Sequence, residues 1–127
     1  MMKHKVVLVP FPFDDLSSSK VRPAVCLTDA IGPHHHVILA FITSRVEANT
    51  LATDFVMEAS NTDFTSTGLR VSSTLQLHRL LTATTALIQR ELGILSPRMQ
   101  KQVRKDSADY LILNKPTSRR LYAPTGG

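Results

Sequence analysis

Arg22, in the run Lys20-Val21-Arg22-Pro23-Ala24-Val25, puts a cation directly before a proline at the mouth of an apolar strand. Proline disfavours the helical region for the residue before it, so Arg22 is expected to be extended, with its guanidinium fixed beside the polar stretch 14–20. A guanidinium keeps its charge at physiological pH and can bind a phosphate through two parallel hydrogen bonds, which the ammonium of a lysine cannot do. Taken alone, the same residue also fits a surface arginine at a strand start. A second group, Thr43-Ser44-Arg45, supplies two hydroxyls and a cation, all able to donate to phosphate oxygens, and equally suited to closing a strand. The chemistry common to both groups is holding a phosphate.

The elements that must position these residues are short. Residues 5–9 are β-branched and stop at Pro10, which suits a first strand able to lie at a sheet edge. Phe11-Pro12-Phe13 forms a stiff apolar corner, and Asp14, Asp15 and residues 17–19 form a polar loop that leads to Arg22. Residues 24–28 read as the second strand. A turn over 29–33 and an apolar run over 37–42 complete a hairpin. His34, His35 and His36 stand together at that turn, but neighbours on a strand point to opposite faces and no cysteine or carboxylate cluster lies close in sequence. They are not read as a metal site. Residues 54–58 form a short fourth strand, 60–68 a polar and mobile loop, and 71–77 and 80–84, with Leu87 and Ile88, one or two more strands before Gly93 stops the strand region. Ser96 and Pro97 then suit the N-cap and first position of a helix running to about Leu113. Its apolar face is Met99, Val103, Ser107, Tyr110 and Leu111. Arg98, Lys101, Arg104 and Lys105 form a solvated face. Five or six short strands and close turns predict a mainly β chain, a small barrel with a C-terminal helix, rather than a layered α/β domain.

With 127 residues the chain fits one domain, 1–114, followed by a basic tail, 115–127, carrying Lys115, Arg119 and Arg120. Its composition, 43% hydrophobic and 20% charged, is that of a folded protein, and no apolar run approaches the roughly 20 residues needed to span a bilayer. Cys26 is the only cysteine, which rules out an internal disulfide and fits a reducing cytoplasm. The net charge of +5 favours an acidic partner, and it is carried by the second half: residues 1–70 sum to −1 and residues 71–127 to +6.

Val7-Leu8-Val9-Pro10-Phe11-Pro12-Phe13, then Lys20 to Val25, then Ile42-Thr43-Ser44, then Leu75-Gln76-Leu77-His78-Arg79-Leu80 resemble, in that order and spacing, the MazF/PemK family of type II toxin endoribonucleases over about residues 5–113. The resemblance implies an SH3-like barrel with a terminal helix, a homodimer, cleavage of single-stranded RNA without a metal or other cofactor, and inhibition by a cognate antitoxin protein. It also implies roles: Arg22 and Thr43 as the catalytic pair, with Lys20, Ser44, Gln76, His78 and Arg79 along the substrate groove. Some relatives carry a carboxylate five residues before the arginine and another just before the glutamine, where this chain has Ser17 and Leu75. His78, Asp14 and Asp15 are left as candidates for proton transfer, with His78 the side chain suited to neutral pH and equally suited to contacting a base. The rival readings are a binding module without chemistry, including a gyrase poison of the same fold, and a family member kept only for binding nucleic acid or protein.

Overall fold

The computed structural model describes residues 1–10, 20–47 and 50–109. Six antiparallel strands, β1 (Lys5–Pro10), β2 (Val21–Cys26), β3 (His36–Thr43), β4 (Asp54–Met57), β5 (Ser73–Thr84) and β6 (Arg90–Ile94), form one sheet in the order β4-β5-β3-β2-β1-β6. The sheet curls into a half-barrel and is followed by one helix, α1 (Pro97–Ser107), so the mainly β barrel with a C-terminal helix expected from the sequence is observed.

Both faces of the sheet are apolar. One carries Val6, Val25, Ala40, Ile42, Leu75 and Leu77 and is covered by Leu95 and by Met99 and Val103 of α1. The other carries Val7, Val9, Ala24, Cys26, Val37, Leu39 and Phe41. Cys26 is fully buried there, and burial pushes its thiol up to about 11, which keeps it a packing residue rather than a nucleophile. The helix starts as expected: the Ser96 hydroxyl accepts from the Met99 N–H at 3.2 Å and Pro97 occupies the first turn. Ser107 is half-buried, and Arg98, Lys101, Arg104 and Lys105 are exposed.

Several elements differ from the sequence reading. The first strand is no edge: β1 lies between β2 and β6, because its residues are buried on both sides and need two partners. β2 begins at Val21, placing Arg22 inside the strand opposite Val9. Residues 60–68 are not a loose loop but hold a 3-10 helix (Thr62–Thr67), capped at its start by the Asn61 side-chain oxygen Oδ1 accepting from the Asp63 N–H at 2.8 Å. This helix buries Phe64 and Thr67 and follows β4, one sheet edge, yet packs on β6, the other. Gly93 therefore sits within β6 instead of ending the strands. A Cβ on it would run into the Ser66 carbonyl, and one on Gly68 into the Leu92 carbonyl. The two glycines let the edges approach and close the barrel side.

The stretches 71–77 and 80–84 are one strand, β5, with an irregularity: Phe41 on β3 faces Gln76 but its neighbour Ala40 faces Leu80. Three residues, Leu77, His78 and Arg79, are accommodated in that step, and the odd number moves Leu81 and Ala83 onto the face opposite Leu75 and Leu77. Residues 85–87 form a 3-10 turn and not a strand. The corner at Phe11 to Phe13, the loop with Asp14 and Asp15, the helical positions Tyr110 to Leu113 and the tail 115–127 lie outside the described residues. Among the described residues no helix is long and apolar enough to cross a membrane.

Candidate functional site

Strand pairing brings the sequence-predicted residues together. Arg22 lies two residues before Ala24, which faces Phe41; Phe41 faces Gln76, and Thr43 faces Thr74. Paired residues of an antiparallel ladder share a sheet face, so Arg22, Thr43 and Gln76 project to the same side from β2, β3 and β5. They line one cleft of about 270 Å³, together with Phe41, Ser44, Arg45 and Arg79. A second lobe of about 280 Å³ shares Thr43, Arg45, Gln76 and Arg79 and adds Glu47, Asp54 and Thr74.

The turn that holds Thr43 is tied from two sides. The Thr43 hydroxyl oxygen accepts from the Arg45 N–H at 3.2 Å, and the Thr74 hydroxyl donates to the Arg45 carbonyl at 2.8 Å. The first bond uses a lone pair of Thr43 and leaves its O–H proton able to donate into the cleft. Three guanidinium groups, Arg22, Arg45 and Arg79, line the cleft against the carboxylates of Glu47 and Asp54, a balance that suits a phosphodiester. Arg79 reaches this position because it belongs to the three residues accommodated at the β5 irregularity.

Two expected groove residues stand elsewhere. Lys20 is exposed just ahead of β2 and does not line the cleft. His78, from the same irregularity as Arg79, is exposed and shares a hydrogen bond of 2.8 Å between its Nδ1 and the Thr53 hydroxyl, off the cleft lining. His34 and His36 lie with ring centres 5.8 Å apart at the exposed turn into β3. Among the described residues no group of three or more His, Cys, Asp or Glu side chains is placed to hold a metal.

Sequence reasoning missed Asp54 and Thr74. Asp54 opens β4 as the register partner of Gln76, and an aspartate heading a strand of otherwise apolar residues, Phe55-Val56-Met57, was the available signal, since aspartate is depleted in strands. Its Oδ2 accepts from the Leu51 N–H at 3.0 Å, while its own N–H donates to the Leu51 carbonyl at 3.0 Å.

Comparison with known proteins follows the same lines. The family model of PemK-like, MazF-like toxins of type II toxin–antitoxin systems matches residues 3–109. Among solved structures, the Mycobacterium tuberculosis toxin MazF-mt6 is similar at 21% identity, covering 87% of this chain and 98% of its own, with a TM-score of 0.64. An endoribonuclease from a mycobacterial species, solved in complex with its cognate antitoxin, is similar at 15% identity, covering 91% of this chain and 99% of its own, with a TM-score of 0.66. No curated protein sequence matches significantly.

Proposed function

Since the chain belongs to the PemK-like, MazF-like toxins of type II toxin–antitoxin systems, we propose that it is the endoribonuclease of such a pair, cutting single-stranded RNA without a metal ion. The observation that carries this reading is Arg22 and Thr43 lining one cleft from separate strands, with Arg45 and Arg79 beside them. The substrate supplies its own nucleophile. The 2′-oxygen bonds to the adjacent phosphorus and loses its proton, the bond from phosphorus to the 5′-oxygen breaks, and that oxygen takes up a proton, leaving a 2′,3′-cyclic phosphate and a 5′-hydroxyl. Arg22 stabilises the charge that builds on the phosphoryl oxygens, and the Thr43 hydroxyl donates to one of them. Ser44, Gln76 and Arg79 hold the strand in the cleft, while Lys20 and His78 act outside it, on the flanking nucleotides.

A homodimer, a cognate antitoxin and a cytoplasmic site of action complete the proposal. The antitoxin is supported by the similar mycobacterial endoribonuclease solved with its own. The activity is assigned to domain 1–114, and the tail 115–127 carries the basic residues Lys115, Arg119 and Arg120. Incubating the purified chain with single-stranded RNA of mixed sequence in EDTA tests the mechanism: fragments with 5′-hydroxyl and cyclic phosphate ends are expected. Cleavage lost in EDTA and restored by zinc or magnesium overturns the metal-free mechanism, and an absence of cleavage under all conditions favours a binding toxin of the same fold.

A further inference from the structure

We infer that Asp54 and Gln76 form an acceptor pair that reads the Watson–Crick edge of a guanine in the substrate strand. This deepens, and rests on, the RNA-cleavage reading above. The two residues are register partners on β4 and β5, so their side chains leave the same sheet face about 5 Å apart at Cβ. Both line the second lobe of the cleft. The Asp54 carboxylate is held by the Leu51 N–H through Oδ2, while its Oδ1 is buried with no hydrogen-bond partner among the described residues. The Gln76 Oε1 is also buried and unpartnered. Buried acceptors without donors are rare because each forfeits its hydration, so two of them on facing residues in the wall of one lobe call for a ligand that brings two donors as the side chains turn to meet it.

A phosphate cannot be that ligand, since its oxygens are acceptors; the guanidinium groups of Arg22, Arg45 and Arg79 suit it instead. Unpaired bases offer their edges to such a site. Guanine presents two donors side by side, N1–H and the N2 amino group. Adenine and cytosine each present one amino group next to an acceptor, and uracil one N–H between two carbonyls. Only guanine satisfies Asp54 Oδ1 and Gln76 Oε1 together. Because a carboxylate has no proton to offer, Asp54 fixes the polarity of the pair, whereas the Gln76 amide alone can turn either way.

The test needs no protein variant at first. Cleavage sites on mixed-sequence RNA are expected to share a guanine at one fixed position near the cut, and replacing that guanine by inosine, which lacks the N2 amine, should lower kcat/KM roughly 10- to 100-fold. The near-isosteric Asp54→Asn should shrink the penalty for inosine and admit adenine or cytosine at that position. Cut sites with no shared guanine, or equal rates for guanine and inosine, overturn the inference while leaving the nuclease reading intact. Asp54→Asn slowing all RNAs equally also overturns it, and assigns Asp54 to proton transfer. If the chain cuts no RNA, the nuclease reading fails separately. Fluorescence anisotropy with guanine- and inosine-containing oligonucleotides then decides: tighter binding of guanine supports the pair, and equal binding overturns it.

Discussion

The sheet face that carries the cleft has two ends, built on the same strands and ending differently. At one end Val37 and Leu39 of β3 face Ala83 and Leu81 of β5; Val37, Leu39 and Ala83 are buried with Cys26, and the half-buried Leu81 packs against them. At the other, Phe41 and Thr43 face Gln76 and Thr74, next to Arg22 and Asp54. The boundary is the step between Ala40 and Phe41 where β5 accommodates three additional residues. The first end satisfies itself with its own side chains. The second lines a cleft with Arg22, Arg45 and Arg79 and carries two buried acceptors, Asp54 Oδ1 and Gln76 Oε1, that have no hydrogen-bond partner among the described residues. Stability and activity are therefore expected to separate along a single strand.

The largest effect expected is on activity. Arg22→Ala should slow RNA cleavage roughly 100- to 1000-fold, as losing one preorganised donor to the transition state typically does. Arg22 is exposed, so the melting temperature should stay close to wild type. Arg22→Lys should recover little, because a point charge does not reproduce the guanidinium fork. An Ala variant that melts as wild type and cuts at a comparable rate would break the assignment of this end to catalysis.

The opposite end gives the converse. Leu39 is completely buried, and Leu39→Ala should cost about 2–5 kcal/mol of stability by lost burial and a residual cavity. Measured well below its lowered melting point, the variant should cleave RNA at close to the wild-type rate. Equal losses of activity and stability would mean that the two ends are not independent, and that packing near Val37 and Leu39 sets the geometry of Thr43.

How much of this was legible in the sequence follows from which interactions are local. The Ser96 and Pro97 helix start, the hairpin of β2 and β3, and the extended setting of Arg22 before Pro23 depend on near neighbours, and all were readable. The family resemblance joined Arg22, Thr43, Gln76 and Arg79, and strand pairing does bring them to one cleft. Asp54 heads an apolar strand, which is a local signal, but its place opposite Gln76, 22 positions away, comes from the β4 and β5 register and is not local. His78 and Arg79 looked equivalent as neighbours in one motif, yet at the β5 irregularity one lines the cleft and the other binds Thr53. The interior place of β1 was hidden because its second partner, β6, is some 85 residues away, and Gly93 read as a stop because the close approach of Ser66 depends on tertiary folding.

The smallest effect expected is a pH dependence, and it shows that an unpartnered buried atom takes its meaning from what surrounds it. His4 Nδ1 is buried without a hydrogen-bond partner among the described residues, like Asp54 Oδ1 and Gln76 Oε1. It lies, however, by a largely apolar groove lined by Leu27, Ile38, Leu80 and Val103 together with Lys3 and Arg104, two cations that disfavour a protonated imidazole. Burial first, and then the charges of Lys3 and Arg104, hold its pKa below the ordinary 6.5, against a weaker pull from Asp29. Below pH 6.5 the unfolded chain binds a proton that the folded chain resists, so stability is full above that value and declines as pH falls through it. Asp29, whose carboxyl is held low by the Lys3 and Met2 N–H groups, erodes stability in the same direction but only from its ordinary value of 3.8 downward. Urea midpoints measured from pH 7 to about 5 thus isolate the histidine from the carboxylate range. They should fall with pH in the wild-type chain and stay flatter in His4→Asn, since asparagine tolerates the positive φ of 73° at this position and does not titrate. An unchanged pH slope in His4→Asn would assign the effect to other groups, and would leave the unpartnered Nδ1 of His4 without a consequence for folding.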